Sequence, residues 1–151
     1  MKAEFGQLQF ERRLEAAPPR VFEALISAED RMAWGPPDTG SVVLIEGQPA
    51  AAPGAREVSR CGPRDNPYVD VATDWILIEA PARLIYAETL TAEGAPLGTS
   101  LATNELESAG GGTVLRLTVQ LVSFVGADMM GEFEHGWRHA VEGLAAHLEP
   151  A

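Results

Sequence analysis

Polar and apolar positions alternate at the start of the chain. Leu8, Phe10 and Leu14 interleave with Gln7, Gln9, Glu11, Arg13 and Glu15 across residues 6–15, the two-residue period of a strand buried on one face. Pro18-Pro19 then supplies the fixed φ of a first helical turn, and Val21, Phe22, Leu25 and Ile26 recur at helical spacing before Ala28-Glu29-Asp30-Arg31. This predicts a short helix that breaks and resumes up to Trp34. Gly35-Pro36-Pro37-Asp38 ends it, because two successive prolines remove donors and impose extended backbone.

The middle of the chain returns to strand periodicity. Residues 41–46 and 55–60 read as short strands around the loop of residues 47–54, which is rich in glycine and proline. The cluster Cys61-Gly62-Pro63-Arg64-Asp65-Asn66-Pro67 reads as a structured turn, followed by an extended stretch over 68–78. Ala80-Pro81-Ala82 breaks that strand and residues 83–91 start another. Residues 97–107 and 113–122 then flank Ser108-Ala109-Gly110-Gly111-Gly112 as a hairpin. From Asp128, a natural N-cap, the period becomes helical: Met130, Phe133, Trp137, Val141, Leu144 and Leu148 fall on one face of a helix of about 20 residues, near 30 Å long.

The predicted class is α+β: a curved antiparallel sheet of about six to seven strands around a long C-terminal helix, with short helices after strand one. No repeat or linker divides the 151 residues, so one domain is expected over residues 1–151. A sheet must curl to bury the stripe of such a helix, and space left between them becomes a cavity.

At this point the sequence resembles the START/Bet v 1-like (SRPBCC) superfamily, in the branch related to the Hsp90-ATPase activator C-terminal domain and to polyketide cyclase-like proteins. The resemblance is carried by Pro19-Arg20-Val21-Phe22-Glu23-Ala24-Leu25 with Glu29 and Trp34, by Ala80-Pro81-Ala82-Arg83-Leu84-Ile85-Tyr86, by Gly111-Gly112-Thr113-Val114-Leu115, and by His135-Gly136-Trp137 with Leu144. One departure is Gly47-Gln48-Pro49 with its alanine-rich extension, where relatives often have a Gly-Gly turn. The resemblance implies the helix-grip fold and a cavity for a small apolar or amphipathic ligand, with a cyclase- or dehydratase-like enzyme or an Hsp90-activator-like interaction domain as alternatives.

Composition narrows the partners. With 46% hydrophobic and 22% charged residues the chain suits a packed globular core. Its 22 acidic and 11 basic residues give a net charge of -11, which repels phosphate backbones and anionic lipid surfaces and argues against nucleic acid. No run approaches the roughly 20 apolar residues of a membrane span, and the first residues lack a signal-peptide core. A single cysteine, Cys61, excludes an intramolecular disulfide. A cytoplasmic protein is expected, with homodimerisation plausible.

The residues expected to face a ligand are Trp34, Tyr68, Trp75, Tyr86, Asn104, Met129, Met130, Phe133 and Trp137. The four on the terminal helix offer aromatic and polarizable surface, whether as cavity wall or as plain core. Asn104 shares the apolar phase of its strand with Ala102 and Leu106, so its amide points inward and needs a partner: ligand, water or backbone. Gly131, Gly136 and Gly143 weaken a helix and call for compensation; close approach of the sheet at Gly136 and a bend widening the cavity at Gly131 are expected.

No catalytic motif stands out. Asp70 and Asp74 could serve as acid or base if their strand phase faced a cavity, although carboxylates on a strand more often face solvent. Cys61 lies between Arg60 and Arg64, which would favour a thiolate, yet no adjacent histidine supplies a base and a structural cysteine is the plainer reading. His135 and His139 with Glu132 have metal-ligand spacing, but each imidazole sits about 200° from Trp137 around the helix and is expected in solvent, so neither metal nor cofactor is assigned.

Overall fold

The computed structural model describes residues 2–150. Strand β1 (Glu4–Leu14) is followed by helices α1 (Pro18–Ile26) and α2 (Ala28–Trp34), six strands, β2 (Ser41–Leu44), β3 (Arg56–Pro63), β4 (Val69–Glu79), β5 (Arg83–Ala92), β6 (Ala95–Ala109) and β7 (Gly112–Ser123), and helix α3 (Ala127–His147). The seven strands form one curled sheet in the order β1-β7-β6-β5-β4-β3-β2, every neighbour antiparallel. This is the α+β helix-grip architecture.

The first two strands thus lie at opposite edges, and α1 and α2 carry the chain across the concave face. Pro18 and Pro19 open α1 where a missing N–H costs nothing, and Val21, Phe22, Ala24 and Leu25 bury its inner face. Ser27 separates the helices: its extended backbone ends α1, and its hydroxyl accepts from the Asp30 amide to cap α2. The core beneath joins these residues to Leu84, Leu106, Leu115, Leu117 and Val119 from the sheet and Val141 and Leu144 from α3. No helix among the described residues is long and apolar enough to cross a membrane.

Turn chemistry fixes the meander. Gly110 and Gly111 at φ 55° and 84°, and Glu93 and Gly94 at φ 51° and 83°, supply the left-handed pairs that two-residue hairpins require. Several expected boundaries shift. Cys61, Gly62 and Pro63 belong to β3, not to the turn, because β2 pairs with them from Ser41↔Pro63 to Val43↔Cys61. The strand expected over 41–46 ends at Leu44. Helix α3 is capped by Gly126 at φ 100°, so Asp128 lies inside the first turn, where its charge still complements the helix dipole.

The helix glycines also differ from expectation. Gly143 carries the close approach: a Cβ there would stand 2.7 Å from the Trp34 carbonyl oxygen, so α2 can lie against α3 only over a glycine. Gly136 faces the Pro37 side chain of the α2–β2 connection rather than the sheet, and a Cβ at Gly131 would point into open space.

Candidate functional site

Between α3, the α2–β2 connection and the concave faces of β2 to β6 lies a cavity of about 720 Å³. Its size suits a small organic molecule. Trp34, Met129, Phe133 and Trp137 line one side and Val43, Val69, Val71, Leu90 and Leu97 the other. Exposed residues at the mouth include Tyr68, Asp38, Asp128, Glu132 and His135.

Strand register explains the polar content of the floor. Inward positions on β5 are set by Leu84, Tyr86 and Leu90, and this phase carries Glu88 onto the concave face. Glu88 is paired with Thr73 on one side and Ser100 on the other, and Thr73 with Glu57, so Glu57, Thr73, Glu88 and Ser100 form a row across four strands. The next row sets Trp75 against Tyr86.

Arg31 reaches down from α2 to this floor. Its Nη1 donates to Glu57 Oε1 at 2.9 Å and its Nη2 to Glu57 Oε2, a two-pronged pair whose side chains are only 12% and 4% exposed. Burial opposes the guanidinium charge, but the Glu57 hydrogen bonds and charge hold its pKa above the ordinary arginine value. The same guanidinium lies 5.1 Å from the Trp75 ring centre, and Trp75 meets Tyr86 edge-on at 5.3 Å.

Glu88 forms no salt bridge or side-chain hydrogen bond among the described residues. Desolvation pushes its pKa up to about 6, with Arg31 pulling the other way and Glu57 reinforcing the rise. Burial and then Glu88 raise the Tyr86 phenol as well, so it remains a neutral hydroxyl. Two buried polar atoms in this region, Thr73 Oγ1 and Trp75 Nε1, have no partner among the described residues.

Six of the nine residues expected to face a ligand line the cavity: Trp34, Tyr68, Tyr86, Met129, Phe133 and Trp137. Three do not. Trp75 is covered by Arg31 and Tyr86. Asn104 is 1% exposed, opposite Leu84 in the register, and its amide donates to the Leu84 carbonyl at 3.4 Å. Met130 is one residue, about 100°, around α3 from Met129, and its methyl occupies the space over Gly6 of β1.

Asp70 and Asp74 lie on the convex face, opposite in phase to Val71, Thr73 and Trp75. Asp74 accepts from Arg56 at 2.7 and 3.0 Å, which lowers its pKa, so neither carboxylate can act within the cavity. Cys61 does line the cavity, but Arg60 points across the sheet and donates to the Pro67 carbonyl. Burial, with Glu88 and Asp38, pushes the Cys61 thiol up to about 11, the reverse of thiolate activation.

Of the two histidines, His135 is exposed as expected and His139 is half-buried. His135 stands at the cavity mouth, and His139 Nδ1 lies 3.0 Å from the Pro36 carbonyl, because the α2–β2 connection covers a second side of α3. Among the described residues no group of three His, Cys, Asp or Glu side chains could hold a metal ion.

The residues missed from sequence are Arg31, Glu57, Glu88, Ser59 and Ser100. For Glu88 a signal existed: once Tyr86 points inward, the residue two further on does too.

A curled sheet gripping a terminal helix, with a partly polar cavity between them, defines a helix-grip domain. The chain belongs to the family of Activator of Hsp90 ATPase homolog 1-like proteins, whose profile matches residues 15–149. Crystal structures of similar proteins come from Rhizobium loti (28% identity, 98% of this chain and 100% of that one, TM-score 0.81) and Rhizobium leguminosarum (26%, 97% and 96%, 0.78). An AHSA1 protein from Silicibacter pomeroyi, at 18% identity, 95% and 97% coverage and TM-score 0.74, shares the fold. No curated protein sequence matches the chain.

Proposed function

We propose that this protein is a cytoplasmic, single-domain binder of a small amphipathic molecule held between the sheet and α3. The observation that carries the reading is the cavity itself: about 720 Å³, walled by Trp34, Phe133 and Trp137, with polar groups confined to its floor and mouth. Apolar walls with a few convergent polar groups are the usual make-up of a small-molecule site. Tyr68, Tyr86 and Met129 complete the contacts to the guest, and Tyr86 and Glu88 orient it. The cyclase-like alternative loses the residues first considered for it, since Asp70 and Asp74 face away and Cys61 is held as a thiol.

Native mass spectrometry of protein purified from its own host, followed by denaturation to release bound molecules, tests this reading. A stoichiometric small molecule, lost when Trp137→Ala or Phe133→Ala alters the wall, is the expected result. Repeated recovery of empty protein that also fails to take up hydrophobic dyes would count against it.

A second reading, docking of a protein partner or of a second copy, has one observation in its favour. Phe5 on β1 is 77% exposed on the convex face, and Leu101, 36% exposed on β6, lies on the far side of β7 and two residues along from the row Phe5 shares with Val122 and Thr99. Sedimentation velocity of wild type against Phe5→Ser separates it: a dimer lost in the variant supports association through this face.

A further inference from the structure

The charge around the cavity is one-sided. Glu88 stands on its floor, while Asp38, Asp128 and Glu132 stand at its mouth. The one lysine or arginine among the lining residues is Arg31, and both its terminal nitrogens are engaged by Glu57. A ligand carboxylate or phosphate would therefore enter a negative field with no free cation to meet it.

The floor also presents polar side chains without partners. Tyr86, Ser59 and Ser100 are 7%, 5% and 4% exposed, all line the cavity, and none of their hydroxyls has a hydrogen-bond partner among the described residues. Register brings Ser100 directly beside Glu88, and Tyr86 lies two residues before it on the same face of the same strand. The Glu88 carboxylate has no donor among the described residues, its backbone carbonyl alone accepting from Thr99 Oγ1. One carboxylate and two hydroxyls thus stand side by side on one face of the sheet and open onto the cavity; the hydroxyls can donate or accept, and the carboxylate can only accept while it is ionised.

An ammonium group brings three donors and a positive charge on a compact head. Resting on the ligand-binding reading above, we propose that the cavity takes an amphiphile bearing a protonated amine, its ammonium set against Glu88, Ser100 and Tyr86 and its apolar body against Trp34, Phe133 and Trp137. Specificity against fatty acids and other anions then comes from the unneutralised carboxylate, and specificity against neutral heads from the charge-assisted contact that only a cation makes with it.

Decylammonium, decanol and decanoate form a set with one chain and three heads. Each is titrated below its aggregation concentration at about pH 8, where an alkylamine keeps its proton, with the fluorescence of the wall tryptophans as readout. Decylammonium is expected to bind about tenfold or more tightly than decanol, in line with a charge-assisted contact in a desolvated site, and decanoate more weakly than either. Glu88→Gln is expected to reduce the ammonium preference to about twofold, while Asp74→Asn, the same change of charge on the convex face, keeps it.

Saturable decanol binding with no ammonium preference in the wild type overturns the ligand class and leaves the cavity reading standing. Equal loss of preference in Asp74→Asn also overturns it, because the effect then belongs to the net charge. Failure of all three probes to bind overturns the class together with the reading beneath it.

Discussion

Arg31 and Glu57 join α2 to β3 through a two-pronged, largely buried ion pair beneath the cavity. The pair ties the cap made by α1 and α2 to the far side of the sheet from β1, where few apolar contacts are available. A buried pair is expensive to break from one side only, since the survivor keeps its charge without its partner. Arg31→Met is therefore expected to destabilise the fold by about 3 kcal/mol or more, and Arg31→Met with Glu57→Leu to recover most of that loss. Urea unfolding of the two single variants and the double variant gives the coupling; additive losses would show that the pair is not the tie between these elements.

A second clasp holds the cap to the end of α3. Asp30 accepts from Arg20 at 2.7 and 3.0 Å and from His147 Nε2 at 2.7 Å. Hydrogen bonds from Arg20 above all hold its carboxyl well below the usual carboxylate range, against the opposing effect of burial. A depressed folded pKa contributes stability that is present above the unfolded value of about 3.9 and is lost as pH falls below it. Asp30→Asn is expected to lower stability at neutral pH by about 1–2 kcal/mol and to flatten the acid limb below pH about 4. An unchanged acid limb would assign that limb to other carboxylates.

The sequence made the fold legible where one period governs a whole element. Leu8, Phe10 and Leu14 reveal the inward face of β1, and Phe133, Val141 and Leu144 the buried stripe of α3. Among the cavity-lining residues, Phe133 and Trp137 follow from the α3 stripe, while Trp34 on α2 and Tyr86 on β5 stand in the segments that carry the family resemblance. Arg31 and Glu57 were invisible because their pairing depends on how α2 crosses the sheet, a tertiary fact with no local pattern. Cys61 to Pro63 looked like a turn because Gly and Pro dominate there, yet pairing with β2 at the sheet edge overrides that composition. Met130 turns toward β1, where its methyl lies over Gly6, and so leaves the cavity to Met129.

Gly143 and Gly131 on α3 make opposite predictions from the same substitution. At Gly143 a Cβ meets Trp34 backbone, which cannot step aside without shifting α2. Gly143→Ala should destabilise despite the helix-propensity gain of about 1 kcal/mol, and should disturb the Trp34 indole, which donates to the Ala24 carbonyl at 2.8 Å. Gly131 has open space around it, so Gly131→Ala should stabilise by up to about 1 kcal/mol. Thermal denaturation of both variants, with near-ultraviolet circular dichroism for Trp34, checks the pair. Equal stabilisation would mean that α2 and α3 do not pack through Gly143.

Glu88 gives the chain a pH dependence of opposite sign to that of Asp30. Its folded pKa is raised to about 6, above an unfolded value of about 4.3, so the folded state binds more protons than the unfolded state between those two values. Stability falls as pH rises through that window and levels off above it. Glu88→Gln removes the charged form that burial penalises, so it should be more stable than wild type by about 1–2 kcal/mol at pH about 8 and should lose the decline between pH about 4 and 6. Arg31→Met, by removing the one nearby charge that favours the carboxylate, should push the Glu88 titration higher still. Carbon-13 NMR of the Glu88 carboxyl follows both effects directly: a titration near the ordinary glutamate value would mean that water solvates the cavity floor freely and that the carboxylate carries no desolvation cost.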